Sequence, residues 1–313
     1  MPSVDDPSTM QVIVHGGAGG EPDEPEPRQD VLDQAAENGV MAETPLDAVE
    51  AAIHVLESSP RFNAGVGGAV QSDGNIRTDA GVMTSDLDAG AACSMPGVEH
   101  AVSAARVVME ATPHVLVSGR SAVGLAEDFG VEVDRDLWSD RSRERWADEE
   151  VPDGPPSDHL SWLTERFGRT DPGGRESEEK DNTGGAGDEH DHDTVGAVAT
   201  DGETFAAATS TGGRWLALAG RVGDVPQIGS GFYATPAGGA SATGAGEDIA
   251  KVTLTRRAVG HLQTGHDAQR AADLAIEEFA ELTGSDAGVI ILDDEGAGAA
   301  FNTDAMQTSI ARR

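Results

Sequence analysis

His192-Asp193-Thr194-Val195-Gly196-Ala197-Val198-Ala199-Thr200-Asp201 decides how this chain is read, because it sets a threonine at the head of a β-compatible run, directly after an acidic, glycine-rich segment. A hydroxyl is a weak nucleophile until a nearby base takes its proton. A threonine at a new N-terminus carries that base itself: its α-amine titrates near about 8, so a useful neutral fraction exists at neutral pH. In an uncut chain the same nitrogen is an amide and accepts no proton. Cutting the Asp193–Thr194 bond would convert an inert precursor into a nucleophile with a built-in base.

The residues on either side fit such a cut. From Asp171 to Asp193, nine of 23 residues are acidic, five are glycine and no apolar run occurs, which predicts a mobile, solvated linker. The change of character begins near Asp134, so the linker is expected over about 134–193. His190-Asp191-His192-Asp193 invites a metal reading, but its spacing lacks the separated ligand pairs of structural sites, and adventitious binding is all it suggests. Downstream, Thr194–Thr200 and Thr204–Ser210 are β-compatible and joined by an Asp201-Gly202 step, a hairpin signal. A two-residue loop would set Thr194 opposite Thr209, with Thr211 on the same face along the diagonal. A slip of one residue would invert that face.

Two glycine-bearing segments follow. Gly220-Arg221-Val222-Gly223-Asp224 offers a cation and an anion three residues apart, suited to an α-carboxylate and an α-ammonium group or, equally, to a surface ion pair. Ser241-Ala242-Thr243-Gly244-Ala245-Gly246-Glu247 supplies a hydroxyl and backbone N–H groups entering a helix, which serves either as an oxyanion hole or as a helix cap at Thr243. Asp267–Leu282 reads as an amphipathic helix ended by Gly284, and Ala287–Leu292 with Ala297–Phe301 as a closing hairpin.

In the first half, Met10–Val14 is a strand candidate running into His15-Gly16-Gly17-Ala18-Gly19-Gly20. A dinucleotide fingerprint needs a helix immediately after such a turn, and Glu21-Pro22-Asp23-Glu24-Pro25-Glu26-Pro27 is expected not to start one. Thr44-Pro45-Leu46-Asp47 opens a helix with a cap and a proline at its first position, and Leu46, Val49, Ile53 and Leu56 repeat at helical spacing. Pro60–Gly68 breaks it with a loop of small residues whose carbonyls can turn inward. Ser103–Ala111 and Ser121–Phe129 read as two more helices.

Composition bounds the class. With 313 residues and 38% hydrophobic content the chain can build a real core. No apolar run approaches the roughly 18 residues of a membrane span, and the acidic start lacks the basic and apolar regions of a signal peptide, so a cytoplasmic protein is expected. Cys93 is the single cysteine, which excludes an intrachain disulfide and a cysteine-based zinc site. The formal charge is −35, spread along the chain, and only Lys180 and Lys251 are lysines. Such self-repulsion is relieved at molar salt, where the Debye length falls to about 3 Å, so a salt-accumulating cytoplasm is expected. The same surface repels phosphate backbones and argues against nucleic-acid binding.

Together, His15–Gly20, Arg61–Gly68, Thr194–Asp201, Ala208-Thr209-Ser210-Thr211-Gly212-Gly213, Gly220–Asp224, Thr243–Glu247 and Phe301-Asn302-Thr303 resemble the plant-type L-asparaginase / isoaspartyl peptidase family of N-terminal-nucleophile hydrolases. The order and spacing of the motifs make the match specific; about 134–190 has no counterpart. The resemblance implies an α+β fold, a four-layer αββα sandwich, autocleaved into an α chain (1–193) and a β chain (194–313) and assembled as a dimer of αβ units. It implies a nucleophile at Thr194, a supporting hydroxyl at Thr211, an oxyanion hole at Thr243 and Gly244, and Asn63 near the nucleophile. Arg221 would clamp the substrate α-carboxylate and Asp224 its α-amine. A structural sodium would sit on backbone carbonyls of Leu56, Glu57, Ser59, Phe62, Ala64 and Val66, with no cofactor needed for chemistry. The implied substrate is asparagine or a β-aspartyl dipeptide. Two departures bear on substrate: His192-Asp193 is similar to the glycosylasparaginase branch, and Arg214-Trp215-Leu216-Ala217-Leu218 replaces a more polar turn beside the pocket. A glycosylasparaginase, or an uncleaved binding protein on the same fold, are the alternatives.

Overall fold

The computed structural model describes residues 10–167 and 194–313. Asp193, the His190–Asp193 cluster and the acidic stretch from 171 lie outside these residues.

Among the described residues there are two sheets. The larger has seven strands in the order β11-β1-β5-β6-β2-β3-β4, formed by β1 (Gln11–Gly19), β2 (Arg77–Thr84), β3 (Ala89–Pro96), β4 (Leu116–Ser118), β5 (Val195–Thr200), β6 (Phe205–Thr211) and β11 (Ala305–Arg312). The smaller runs β10-β9-β8-β7, from β7 (Phe232–Thr235), β8 (Gly238–Gly244), β9 (Ala287–Leu292) and β10 (Ala297–Phe301). Side chains alternate along a strand, so each strand of the large sheet serves two layers. Val195, Ala197 and Ala199 of β5 join Val12, Val14, Val82 and Ala208 in a core shared with helices α1 (Pro25–Gly39), α2 (Pro45–Glu57), α3 (Ala101–Ala111) and α4 (Gly119–Asp128). Ile13, Val198 and Ala207 point the other way, against Phe232, Ile290 and Leu292 of the small sheet. The far face of the small sheet packs on α8 (Leu254–Gln263) and α9 (Ala268–Thr283) through Val289, Ile291, Val259 and Phe279.

Several local readings hold. Thr44 caps α2, its Oγ1 accepting the Asp47 N–H at 3.2 Å, and Val49, Ile53 and Leu56 are fully buried. Asp267 caps α9, which ends at Gly284 with φ 69°. Cys93 is buried.

Three expectations are corrected. First, α1 begins at Pro25, inside the segment expected to exclude a helix. Prolines in the first turn cost nothing there, because those N–H groups have no intrahelical acceptor. The dinucleotide reading still fails, since β1 lies between two antiparallel neighbours. Second, the β5–β6 pairing is Val195 with Ser210 and Thr200 with Phe205, so the loop has four residues. The Asp201 carboxylate accepts the N–H groups of Glu203 and Thr204, at 3.0 and 2.8 Å, and stabilises this longer loop. The register moves by two, which preserves the face and brings Thr211 directly across from Thr194. Third, 134–167 is not linker. It contains α5 (Asp140–Ala147), a 3-10 turn (Pro156–His159) and α6 (Leu160–Phe167). Leu137 and Trp215 are buried in a cluster that Trp138, Trp146, Trp162 and Phe167 pack against, and the high polarity of the segment hid this aromatic spacing.

Candidate active site

The face of the large sheet that looks toward the small sheet is polar at one end. Thr194 precedes β5 and Thr211 ends β6; both are buried, and the Thr194 hydroxyl donates to Thr211 Oγ1 at 3.2 Å. Thr211 Oγ1 also accepts the Gly213 N–H at 3.1 Å, which fixes the turn leaving β6. Asn63 braces the same turn: its Nδ2 donates to the Gly213 carbonyl at 2.6 Å and its Oδ1 accepts the Ala69 N–H at 2.8 Å. Its backbone carbonyl accepts the Gly212 N–H at 2.8 Å. Asn63 therefore acts here as a positioning residue for the strand end that carries Thr211.

Thr194 and Thr211 open onto a cavity of about 340 Å³, also lined by Arg214, Arg221, Asp224, Gly244, Glu247 and Phe167. That volume is in the range of small-molecule sites, roughly 300–1,000 Å³. Arg221 makes a two-point ion pair with Glu247, with Nε and Nη2 each 2.7 Å from a carboxylate oxygen. Burial alone would raise the Glu247 carboxyl; the hydrogen bonds and charge of Arg221 instead bring it down to about 2. Guanidinium has five donors, so this pairing leaves Arg221 with further N–H groups for a second anion. Asp224 is buried, and burial pushes its carboxyl up to about 7 against the pull of Arg221. Its Oδ2 has no hydrogen-bond partner among the described residues. A buried, unmatched carboxylate oxygen costs free energy unless a ligand donor meets it.

Thr243 is fully buried near the end of β8, and Gly244, with φ 132°, lines the cavity. Thr243 is not the N-cap residue of α7 (Gly246–Val252), a position that Ala245 holds. A Cβ at Gly246 would lie 2.7 Å from Asp224 Oδ1 and 2.9 Å from Arg221 Nη2, so only glycine lets this helix start against the pair.

Beneath Thr194, a buried polar chain joins the sheets. His15 Nε2 lies 3.0 Å from Ser241 Oγ, Ser241 lies 2.6 Å from Thr209 Oγ1, and Thr209 donates to the Gly231 carbonyl at 2.8 Å. Burial holds the His15 imidazole neutral, down to about 3. A Cβ at Gly196 would fall 1.9 Å from Ser241 Oγ, which fixes glycine two residues after Thr194. Asp79, paired across from Thr211 on β2, is buried, and burial raises it to about 7 although Ser94 N–H donates to it at 2.6 Å. Sequence reasoning missed Asp79, Glu247 and the His15–Ser241–Thr209 chain. A lone carboxylate within the small, apolar run Thr78–Thr84 was the available signal for Asp79.

The turn at 214–218 divides its residues. Arg214 faces the cavity, stacked over Phe167 at 4.3 Å, whereas Trp215 and Leu216 turn into the aromatic cluster, where Trp215 Nε1 donates to Glu149 at 3.0 Å. In the 56–66 loop, a Cβ at Gly65 would lie 2.2 Å from the Glu57 carbonyl oxygen and 2.8 Å from that of Glu99; at Gly67 it would lie 3.0 Å from Pro60 O and 3.1 Å from Phe62 O. Carbonyl oxygens thus crowd this loop, a neutral oxygen set that suits a hard cation. Leu56, Glu57 and Ser59 also accept N–H groups of Ser59, Val66 and Phe62 within the loop.

A hydroxyl pair, a half-buried arginine and a carboxylate with one oxygen unmatched among the described residues thus line one cavity. The profile of the family described as Asparaginase matches residues 8–313, and the chain belongs to that family. It is 38% identical to the plant-type L-asparaginase of Pyrococcus abyssi, over 95% of this chain and 94% of that protein. Identity is 35% with the isoaspartyl peptidase/L-asparaginase of Danio rerio, over 96% and 92%. With the isoaspartyl peptidase/L-asparaginase of Rattus norvegicus it is 34%, over 92% and 81%. No helix among the described residues is long and apolar enough to cross a membrane.

Proposed function

We propose that the chain is a self-processing amidohydrolase that cleaves the β-carboxamide of L-asparagine and the isopeptide bond of β-aspartyl dipeptides. One observation carries the reading: Asp224, whose buried Oδ2 has no partner among the described residues, lines the same cavity as Arg221 and the Thr194–Thr211 pair. An amino-acid α-ammonium group supplies donors for that oxygen, and the α-carboxylate meets the N–H groups Arg221 has left over.

Scission between Asp193 and Thr194 yields chains 1–193 and 194–313, which together form one αββα sandwich and dimerise as αβ units. Thr194 Oγ1 then attacks the side-chain carbonyl while the freed α-amine takes its proton. Thr211 stops accepting from Thr194 and donates to it instead, holding the oxygen in line. Thr243 and Gly244 stabilise the oxyanion, a contribution of about 3 to 4 kcal/mol per donor. Ammonia, or the amino group of the released amino acid, departs with the proton from the α-amine. Water then attacks the β-aspartyl ester, gives a proton to the same amine, and releases aspartate with Thr194 restored. Sodium on the carbonyls of the 56–66 loop would brace Asn63 and takes no part in the chemistry. A charge of −35 fits a cytoplasm rich in salt, where the fold gains stability as KCl rises toward about 1 M and the Debye length falls to about 3 Å.

The test is hydrolysis of asparagine, a β-aspartyl dipeptide and a glycosylated asparagine in molar KCl by the wild type and by Arg221→Ala. Asparagine or the dipeptide should be the better substrate, and the variant should raise KM roughly ten- to a hundredfold, the worth of a charged hydrogen bond. Unchanged KM removes the clamp, and preference for the glycosylated substrate replaces the reading with a glycosylasparaginase.

A further inference from the structure

On the opposite face of the large sheet, away from the hydroxyl pair, α2 and the start of α3 bring together His54, Glu57 and His100. One ligand atom from each lies within 4.8 Å of the other two. His54 and Glu57 stand at i and i+3 on α2 and so share a face. His100 is the N-cap residue of α3 and makes no side-chain cap, so its ring is turned to the cluster instead. The two rings lie side by side, centroids 4.2 Å apart, and His100 Nδ1 is 3.4 Å from Glu57 Oε2.

We propose that this cluster is a binding site for a divalent transition ion of the zinc class. Two imidazoles and a carboxylate form a nitrogen-and-oxygen donor set that suits Zn²⁺, Co²⁺ or Ni²⁺ over Mg²⁺ or Ca²⁺. Bonds of about 2.0–2.1 Å place ligand atoms a little over 3 Å apart in a tetrahedron, so the cluster closes by small rotations about the χ angles. The imidazoles can make them, being 37% and 31% exposed, and their exposure leaves room for water in the remaining position. Glu57 cannot wander: it is fully buried, and its Oε1 accepts the Val102 N–H at 3.1 Å and the Ser210 hydroxyl at 2.6 Å. That arrangement is what holds a metal carboxylate from behind, leaving Oε2 for the ion. Ser103 Oγ, 2.7 Å from His54 Nε2 and donating to Glu50 at 2.6 Å, orients the second ligand in the same way. Glu99, 4.0 Å from His100 Nε2, adds negative potential, and Arg135 and Arg106 balance Glu99 and Glu50 from outside.

This site differs from the carbonyl loop in its donors, since it uses side chains where the loop uses backbone oxygens. It touches the same strand end, however. Glu57 holds Ser210, the neighbour of Thr211, and its own carbonyl accepts the Val66 N–H at 2.8 Å. An ion here ties α2, α3 and β6 together and raises the melting temperature.

The test is titration of metal-free, untagged full-length protein with Co²⁺ and Zn²⁺ in molar KCl, read by bound metal per chain, by the visible d–d bands of Co²⁺, and by melting temperature. One equivalent should bind with a thermal shift. His54→Gln and His100→Gln should each weaken binding at least about tenfold and abolish the shift, while retaining the metal-free melting temperature within a few degrees. His190→Ala with His192→Ala should leave it intact. Absence of a stoichiometric site, or binding that survives loss of both His54 and His100, overturns the proposal.

Discussion

Ser210 and Thr211 are neighbours on β6, carry the same functional group, and lead opposite lives. Thr211 faces the small sheet, where it meets Thr194, and Ser210 faces the helices, where its hydroxyl donates to Glu57 at 2.6 Å. Strand alternation alone separates them. On the side of Thr211 lie Asp79, Thr209, His15 and the open cavity; on the side of Ser210 the surroundings are Val195, Ala208 and the packed stripe of α2. One face has a cavity lined by hydroxyls and carboxylates, while the other uses a buried polar pair to lock a helix to a strand.

The largest expected difference follows from exchanging the two hydroxyls for apolar groups. Thr211→Val should lower kcat on asparagine by about 10² to 10⁴, the range for a positioned proton-handling group, with little change in melting temperature. Ser210→Ala should leave kcat within about twofold and cost about 1–3 kcal/mol of stability, because Glu57 loses a buried donor. If Ser210→Ala abolished turnover without destabilising, the two faces would not be functionally distinct.

Gly196→Ala sharpens the contrast by crowding the polar face. Its Cβ would meet Ser241 Oγ at 1.9 Å and His15 Nε2 at 2.3 Å, so about 1–3 kcal/mol of destabilisation is expected in urea unfolding. Gly202→Ala, in the loop, meets nothing within 4 Å and should cost only the strain of φ 90°.

A pH dependence also separates the faces. Asp79 is raised by burial to about 7 in the folded protein, from about 3.8 when unfolded. The folded state then holds its proton more tightly, so the stability this group contributes is full below about pH 4 and lost as pH rises through 7. Asp79→Asn keeps the Ser94 contact and removes the ionisation. Its melting temperature, relative to wild type, should therefore be higher at pH 8 than at pH 4.5. An equal offset at both values would mean that Asp79 is not held protonated.

Much of this was legible along the chain. Thr44 and Pro45 announced α2, Asp267 and Gly284 bracketed α9, and the alternation after Thr194 gave β5 and β6 with the right face. The register was missed by two because Asp201-Gly202 signals a two-residue loop, while Asp201 uses its carboxylate to cap a four-residue one. Such a cap competes with turn geometry and carries no spacing signal. The polar chain under the site was invisible for another reason. His15 and Ser241 are 226 residues apart, and only the stacking of the sheets makes them neighbours. Residues 134–167 misled through composition, since three tryptophans and Leu137 pack a largely polar segment against Trp215 and Leu216 of the turn after Gly213.

The central claim is that Thr194 acts through an amino terminus it acquires by cleavage. Intact mass spectrometry, run alongside an asparagine hydrolysis assay on wild type and Thr194→Val kept in molar KCl, tests it most directly. The wild type should resolve into two polypeptides divided between 193 and 194 and hydrolyse asparagine, and the folded variant should stay one chain and lose activity by at least about 10⁴-fold. Hydrolysis at the wild-type rate by a folded Thr194→Val protein would contradict the account.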